Sequence, residues 1–129
     1  SVVGADQTLA LGERRFDKPT GRLAAADQLR ALRGKTHALH SAVAVVRDGK
    51  VGFTHVAVAR LRMRDFSDEF LDRYLDAAGE SVLRSVGAYQ LEGLGSQLFE
   101  AVEGDYFTVL GLPLLPLLDF LRRERLLST

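Results

Sequence analysis

The segment VVGADQT, residues 2–8, organises the interpretation of the whole sequence. Its β-branched start predicts a buried strand, and the Gly-Ala-Asp that follows predicts that the strand delivers the Asp6 carboxylate to a loop at its C-terminal end. The same three residues are also common in turns that have only a structural role. The segment alone therefore leaves a catalytic and a structural interpretation of Asp6 open.

Length and charge limit the class of protein. A chain of 129 residues with 47% hydrophobic residues is long enough to bury a core, so we expect one domain over residues 1–129. Its 17 basic and 17 acidic residues balance, which argues against the broad basic surface that a nucleic-acid partner needs. The absence of cysteine excludes disulfides and thiolate metal sites and fits a reducing compartment.

No segment predicts a membrane partner or a signal peptide. The most apolar stretch, residues 106–118, is too short to span a bilayer and contains Gly111, Pro113 and Pro116. The chain also starts with Ser1, directly inside the apolar segment. We therefore expect it to be the downstream portion of a longer protein.

Polar residues after the first strand predict a reversal that carries Lys18 back towards Asp6. The reversal is expected at residues 12–15. Thr20 can then cap a helix that runs to about Arg33 and ends at a C-terminal glycine. Its predicted apolar stripe contains Leu23, Ala26, Leu29 and Leu32.

Residues 36–47 and 50–63 predict two long strands joined as a hairpin by Asp48-Gly49, since both turn residues tolerate positive φ. Three histidines lie in or beside these strands, but their spacing does not resemble a zinc site. We expect them to be strand-face residues; they are His37, His40 and His55.

The second half predicts a helix, a glycine-rich loop, a strand and a final helix. Ser67 is expected to cap a helix over residues 68–78 that ends at Gly79. Residues 86–95 fit either a ligand loop or a plain connection. A strand over residues 97–102 and an apolar helix that begins near Pro113 and Pro116 complete the chain.

The common phosphate-loop, hydrolase and metalloprotease signatures are absent from the sequence. Three other blocks occur in a fixed order: GADQT at residues 4–8 followed by Lys18-Pro19, GAYQLEGLG at 87–95, and EGDYFTVLGLP at 103–113. In this order and spacing they resemble the Maf family of nucleoside triphosphate pyrophosphatases. The resemblance covers essentially the whole chain.

The resemblance implies an α/β fold with a mixed twisted sheet and flanking helices, similar to the inosine triphosphate pyrophosphatases. It also implies cleavage between the α- and β-phosphates of a nucleoside triphosphate, which gives a nucleoside monophosphate and pyrophosphate. The implied cofactor is a divalent metal, Mg²⁺ or Mn²⁺. Family members are cytoplasmic, often homodimeric, and associated with septum formation.

The resemblance also assigns residues. Asp6 takes the place of the catalytic acid/base residue and can hold the metal, and Lys18 takes the place of a phosphate-contacting lysine. Gln7, which follows Asp6 in the GADQ motif, is assigned to substrate binding. Glu92 falls where the family reads the base. Glu at this position, together with GADQ, implies a modified guanine nucleotide such as 7-methyl-GTP.

The sequence departs from the family pattern at two points. The family's N-terminal S-x-S-P-R-R signature, whose serine and arginines hold the triphosphate, does not occur in the 129 residues, so we expect the N-terminal part of the family fold to be absent. Asp17 precedes Lys18 where many relatives have glycine. A non-catalytic nucleotide-binding or dimerising module is therefore an alternative, and a generic α/β structural domain is a third.

Overall fold

The computed structural model describes residues 2–89, 94–104 and 114–124. The described strands are β1 (Val2–Leu11), β2 (Arg14–Phe16), β3 (Thr36–Arg47), β4 (Lys50–Met63) and β5 (Phe99–Glu103). The described α-helices are α1 (Arg22–Leu32), α2 (Asp68–Ala78) and α3 (Leu114–Arg123). Three short 3₁₀ segments cover Gly79–Leu83, Val86–Ala88 and Leu94–Leu98.

The strands form one sheet in the order β2-β1-β3-β4-β5. β1 pairs with β2, and β4 pairs with β5, both antiparallel. Helices and a sheet in one chain confirm the predicted α/β fold class. Within the described ranges, no helix is both long and apolar enough to cross a membrane.

The chain divides into two compact units. The first unit contains residues Ser1–Gln7, Leu39–Ala59 and Gly104–Thr129, and the second contains Thr8–Ala38 and Arg60–Glu103. Each unit is described by itself below.

The core of the first unit packs α3 on two strands. Its buried side chains are Val43, Val45, Leu117 and Phe120. Phe53 stacks on Phe120 with ring centroids 4.6 Å apart. Leu117 and Phe120 are the buried side chains of α3, and Leu115 is 57% exposed, so the helix buries one face.

The hairpin that contributes to both units was predicted correctly. β3 and β4 have the predicted bounds, and the turn residues Asp48 and Gly49 have φ of 52° and 74°. These values lie in the left-handed region that a tight two-residue turn needs. On β3, alternate side chains from His37 to Val45 are buried, which is the period-two pattern of a strand with one covered face.

Helix α1 differs from the prediction at its N-terminus. The helix begins after Gly21 rather than after Thr20, and no side chain caps it. Leu23, predicted to lie on the apolar stripe, is 83% exposed, so that prediction was wrong. The buried side chains are Ala25, Ala26, Leu29 and Leu32. The buried face of the helix therefore lies where predicted, but it begins at Ala25 rather than at Leu23.

Helix α2 has the predicted bounds and caps. The Ser67 Oγ atom accepts a hydrogen bond from the Phe70 backbone N–H at 3.0 Å, and Gly79 ends the helix with a φ of 58°. Leu71, Tyr74 and Leu75 are buried. Such a cap contributes about 1 kcal/mol to helix stability.

β1 is longer and more exposed than predicted. The strand continues to Leu11, so Asp6 lies within it rather than on a loop after it. Val2 and Val3 are 67% and 49% exposed, whereas Leu9 is fully buried. The prediction of a buried strand is therefore wrong for residues 2–6, because no described residue covers those side chains.

Candidate active site

Asp6 occupies the middle of β1, in the first unit, with an exposed side chain. Its Oδ1 atom accepts a hydrogen bond from the Gln7 backbone N–H at 2.9 Å. Among the described residues, no ion pair and no second hydrogen bond holds this carboxylate. One oxygen is therefore oriented by the backbone while the side chain remains accessible to solvent.

A shallow groove of about 320 Å³ lies beside Asp6 within the first unit. It is lined by Gly4, Ala5 and Asp6 of β1, by residues 42–44 of β3 and by residues 54–56 of β4. Three of the lining residues, Gly4, Ala42 and Ala44, have a methyl side chain or none. Among the described residues that line the groove, Asp6 and His55 alone have ionisable side chains, and none is a lysine or arginine.

Gln7 points away from Asp6. Successive side chains of a strand point to opposite faces, and the Gln7 Nε2 atom donates a hydrogen bond to Ser41 Oγ on β3 at 3.4 Å. Ser41 is fully buried. This contact places the Gln7 carboxamide against β3, so the assignment of Gln7 to substrate binding remains a prediction.

Lys18 belongs to the second unit, in the connection between β2 and α1. Its side chain is exposed, and the following Pro19 is buried. The preceding Asp17 carbonyl accepts a hydrogen bond of 2.6 Å from the Nε2 atom of Gln28 on α1. Lys18 therefore lies between a hydrogen-bonded carbonyl and a buried proline.

The start of the predicted glycine-rich loop is held by side chains from helices α1 and α2. The Gly87 N–H donates to Gln28 Oε1 at 3.1 Å, and the Ala88 carbonyl accepts from the Tyr74 hydroxyl at 2.9 Å. Gly87 and Ala88 both have positive φ, 82° and 64°. Glu92, the predicted base-reading residue, lies outside the described residues.

A buried polar pair extends this region. His37 of β3 and Tyr89 are joined by a hydrogen bond of 2.7 Å between Nε2 and the hydroxyl oxygen. Burial lowers the pKa of His37 to about 4 and raises the pKa of Tyr74 to about 12. Burial also raises the pKa of Tyr89. These groups are therefore neutral at ordinary pH.

The histidines do not form a metal site with acidic neighbours in the described part of the chain. No group of three or more His, Asp or Glu side chains there could hold a metal ion. Mg²⁺ is commonly bound by one or two carboxylates together with substrate phosphates and waters. The exposed Asp6 carboxylate has the chemistry of one such ligand.

The sequence placed Tyr89 in the glycine-rich block at 87–95 but did not indicate that Gln28, Tyr74 or His37 contacts this region. Their connections join residues that are 11 to 59 positions apart in sequence. The alternating pattern of β3 predicted that His37 lies on a face of the strand, but it did not indicate a contact with Tyr89.

The chain matches known proteins over nearly its full length. The family model described as Maf-like protein matches residues 1–124. A relative from Bradyrhizobium diazoefficiens is 65% identical over 98% of this chain and 63% of its own length, and one from Nitrobacter hamburgensis is 61% identical over the same shares. A third, from Paramagnetospirillum magneticum, is 64% identical over 95% of this chain and 63% of its own length.

All three relatives are named nucleoside triphosphate pyrophosphatase. The chain thus spans somewhat less than two thirds of the length of these relatives. The family match covers almost every residue and agrees with the motif order found in the sequence. The chain therefore belongs to the family of Maf-like proteins.

Proposed function

We propose that the protein to which this chain belongs is a nucleoside triphosphate pyrophosphatase. The observation that carries the proposal is the 65% identity, over 98% of the chain, to a relative with that name. The exposed and backbone-oriented Asp6 carboxylate supports it, since it can take part in proton transfer from water.

The reaction is hydrolysis of the α–β phosphoanhydride bond. A water oxygen bonds to one of the two phosphorus atoms, and the bond from that phosphorus to the bridging oxygen breaks. The water proton passes to Asp6 and then to solvent or product. The products are a nucleoside monophosphate and pyrophosphate.

The remaining roles follow the family pattern. Lys18 contacts the phosphates, where its positive charge offsets the negative charge of the oxygens. Gln7 contributes to substrate binding. Asp6 would also hold Mg²⁺ or Mn²⁺, and the ion would neutralise phosphate charge. The whole of residues 1–129 forms one Maf-like domain, and the protein acts as a homodimer in the cytoplasm.

The proposed substrate is a guanine nucleotide, in particular a modified one such as 7-methyl-GTP. The carboxylate of Glu92 can accept hydrogen bonds from both N1–H and the amino group of guanine. Thymine and uracil present a carbonyl in place of that amino group. A site with a carboxylate at this position therefore discriminates against them.

Product analysis tests the activity. The intact protein is incubated with 7-methyl-GTP, GTP, TTP and UTP, with Mg²⁺ or Mn²⁺ and with EDTA, and the products are separated by ion-exchange chromatography. We expect equal amounts of monophosphate and pyrophosphate, fastest release from the guanine nucleotides and loss of release in EDTA. Diphosphate and orthophosphate as products would contradict the assigned bond.

A second candidate is a non-catalytic module that binds nucleotide weakly or dimerises. The groove beside Asp6 favours it, since no lysine or arginine is among its described lining residues. Calorimetry with the 129-residue chain separates the two candidates. Micromolar nucleotide binding, together with pyrophosphate release, would reject the module.

A further inference from the structure

One side chain joins two segments of the proposed substrate site. Gln28 on α1 donates from Nε2 to the Asp17 carbonyl at 2.6 Å and accepts at Oε1 from the Gly87 N–H at 3.1 Å. Asp17 immediately precedes Lys18. Gly87 lies at the start of the glycine-rich loop that contains Glu92. The two segments are 70 residues apart along the chain.

The two partners determine the orientation of the Gln28 carboxamide. A backbone carbonyl can only accept a hydrogen bond, and a backbone N–H can only donate one. The amide nitrogen must therefore face Asp17 and the amide oxygen must face Gly87. The carboxamide supplies both the donor and the acceptor that this arrangement needs.

We propose that Gln28 is a positioning residue that holds the backbone before Lys18 and the start of the glycine-rich loop at Gly87 in a fixed relation. The inference rests on the proposed function, because that function assigns Lys18 to the phosphates and Glu92 to the base. In this proposal Gln28 contacts neither the substrate nor the reacting atoms. It acts through the backbone of Asp17 and Gly87.

The start of the loop at Gly87 is closely packed. A Cβ atom on Gly87 would lie 2.7 Å from both a Leu9 side-chain carbon and the Tyr89 ring, so Gly87 is closely surrounded. The next two residues are anchored as well, Ala88 by the Tyr74 hydroxyl and Tyr89 by His37. Loss of the Gln28 contact therefore removes one of three hydrogen bonds that hold the consecutive residues Gly87, Ala88 and Tyr89.

The Lys18 side is restrained in the same way. The Asp17 carbonyl is bonded to Gln28, and Pro19 is buried and has a fixed φ. Loss of the Gln28 contact releases one of these two restraints on Lys18. A positioning role thus predicts separable effects on the phosphate contact and on base selection.

Two substitutions separate the two hydrogen bonds. Gln28→Glu keeps an acceptor for the Gly87 N–H but has no donor for Asp17. Gln28→Met has a similar length and removes both bonds. Leu23→Glu is the matched control, because it adds the same charge as Gln28→Glu on the same helix at a side chain that is 83% exposed.

The experiment measures kcat and KM of the intact protein for GTP and TTP. We expect Gln28→Glu to raise KM about threefold for both nucleotides and to leave the ratio of their kcat/KM values unchanged. Gln28→Met should raise KM and also lower that ratio by about threefold to tenfold. The ratio does not depend on the fraction of folded protein, so a loss of stability alone leaves it unchanged.

Hydrogen exchange gives a readout that does not depend on activity. Peptides that cover residues 16–19 and 86–89 should exchange faster together in Gln28→Met and remain unchanged in Leu23→Glu. Active variants with wild-type KM and base ratio would overturn the positioning role. If the wild-type protein released no pyrophosphate, the proposed function would be overturned instead. The positioning role would then be judged by hydrogen exchange alone. It would fail if the exchange rates of the two peptides did not depend on residue 28.

Discussion

The Nε2 atom of His37 lies 2.7 Å from the hydroxyl oxygen of Tyr89, and both residues are buried in the second unit. Tyr89 also packs edge-on against Phe99, with ring centroids 4.8 Å apart. An aromatic environment of this kind favours the uncharged imidazole. The pair therefore connects strand β3 to the start of the glycine-rich loop through a hydrogen bond between two neutral groups.

Acid should weaken the fold through His37. Its pKa is lowered from 6.5 to about 4 in the folded chain because burial disfavours the charged ring. Between these two values the unfolded chain binds more protons, so stability rises with pH across this window. Above the pKa of the unfolded chain, the neutral His37 contributes roughly 3 kcal/mol to the free energy of unfolding. This contribution is lost as the pH falls to the pKa of His37 in the folded chain.

Urea unfolding at intervals between pH 4 and pH 7 measures this slope. His37→Gln is the informative variant, because an amide can still bond the Tyr89 hydroxyl but does not titrate. We expect it to flatten the dependence over this range. An unchanged slope in His37→Gln would assign the acid sensitivity to other groups.

The conformation of Gly87 should be required for folding of the second unit. Gly87→Ala places a Cβ atom 2.7 Å from Leu9 and from Tyr89 at a φ of 82°. We expect a loss of about 3 kcal/mol or more in the free energy of unfolding, from both strain and overpacking.

Gly12→Ala is the matched control for that substitution. Gly12 has a φ of 59°, but a Cβ atom added there would have no atom of the described residues within 4 Å. Its substitution should cost only about 1 kcal/mol, the penalty for a left-handed backbone. Equal losses in the two variants would show that the close contacts at Gly87 do not matter.

Base preference should depend on the residue at position 92. Glu92→Gln replaces one acceptor oxygen by a donor, so it loses one of two hydrogen bonds to guanine and gains a match to a thymine or uracil carbonyl. We expect the ratio of kcat/KM for GTP to that for TTP to fall at least tenfold. Competition assays with mixed nucleotides measure this ratio directly, and an unchanged ratio would remove Glu92 from base recognition.

Local signals predicted the hairpin and helix α2 well. Asp48-Gly49 specifies a tight turn, and Ser67 and Gly79 mark the two ends of α2, so these bounds depend on few neighbours. The errors concern burial. Leu23 has the spacing of a buried residue, yet spacing does not reveal how far along a helix its packing partner extends. Val2 and Val3 are exposed for the same reason, because residue type does not specify which neighbours cover a strand.

The candidate site was predictable only in part. Motif order led to Asp6, Lys18 and Glu92, and the family match confirms the resemblance on which they rest. Gln28 could not be found in this way. Its two bonds join Asp17 to Gly87, and a lone glutamine on a helix carries no pattern that indicates such distant partners.

The proposed activity assigns Asp6 to the hydrolysis of a nucleoside triphosphate. Asp6→Asn keeps an oxygen that can accept from the Gln7 N–H but removes the negative charge and the proton acceptor. Asp48→Asn makes the same chemical change at an exposed turn residue, where Asn also tolerates positive φ, and serves as the control.

Pyrophosphate release by the intact protein under saturating GTP is therefore the most direct measurement. We predict that Asp6→Asn lowers kcat by about 10²- to 10⁴-fold, the usual contribution of a general base, while its melting temperature and the activity of Asp48→Asn stay near wild type. Equal rates of pyrophosphate release from wild type and Asp6→Asn would contradict the role proposed for Asp6 in hydrolysis.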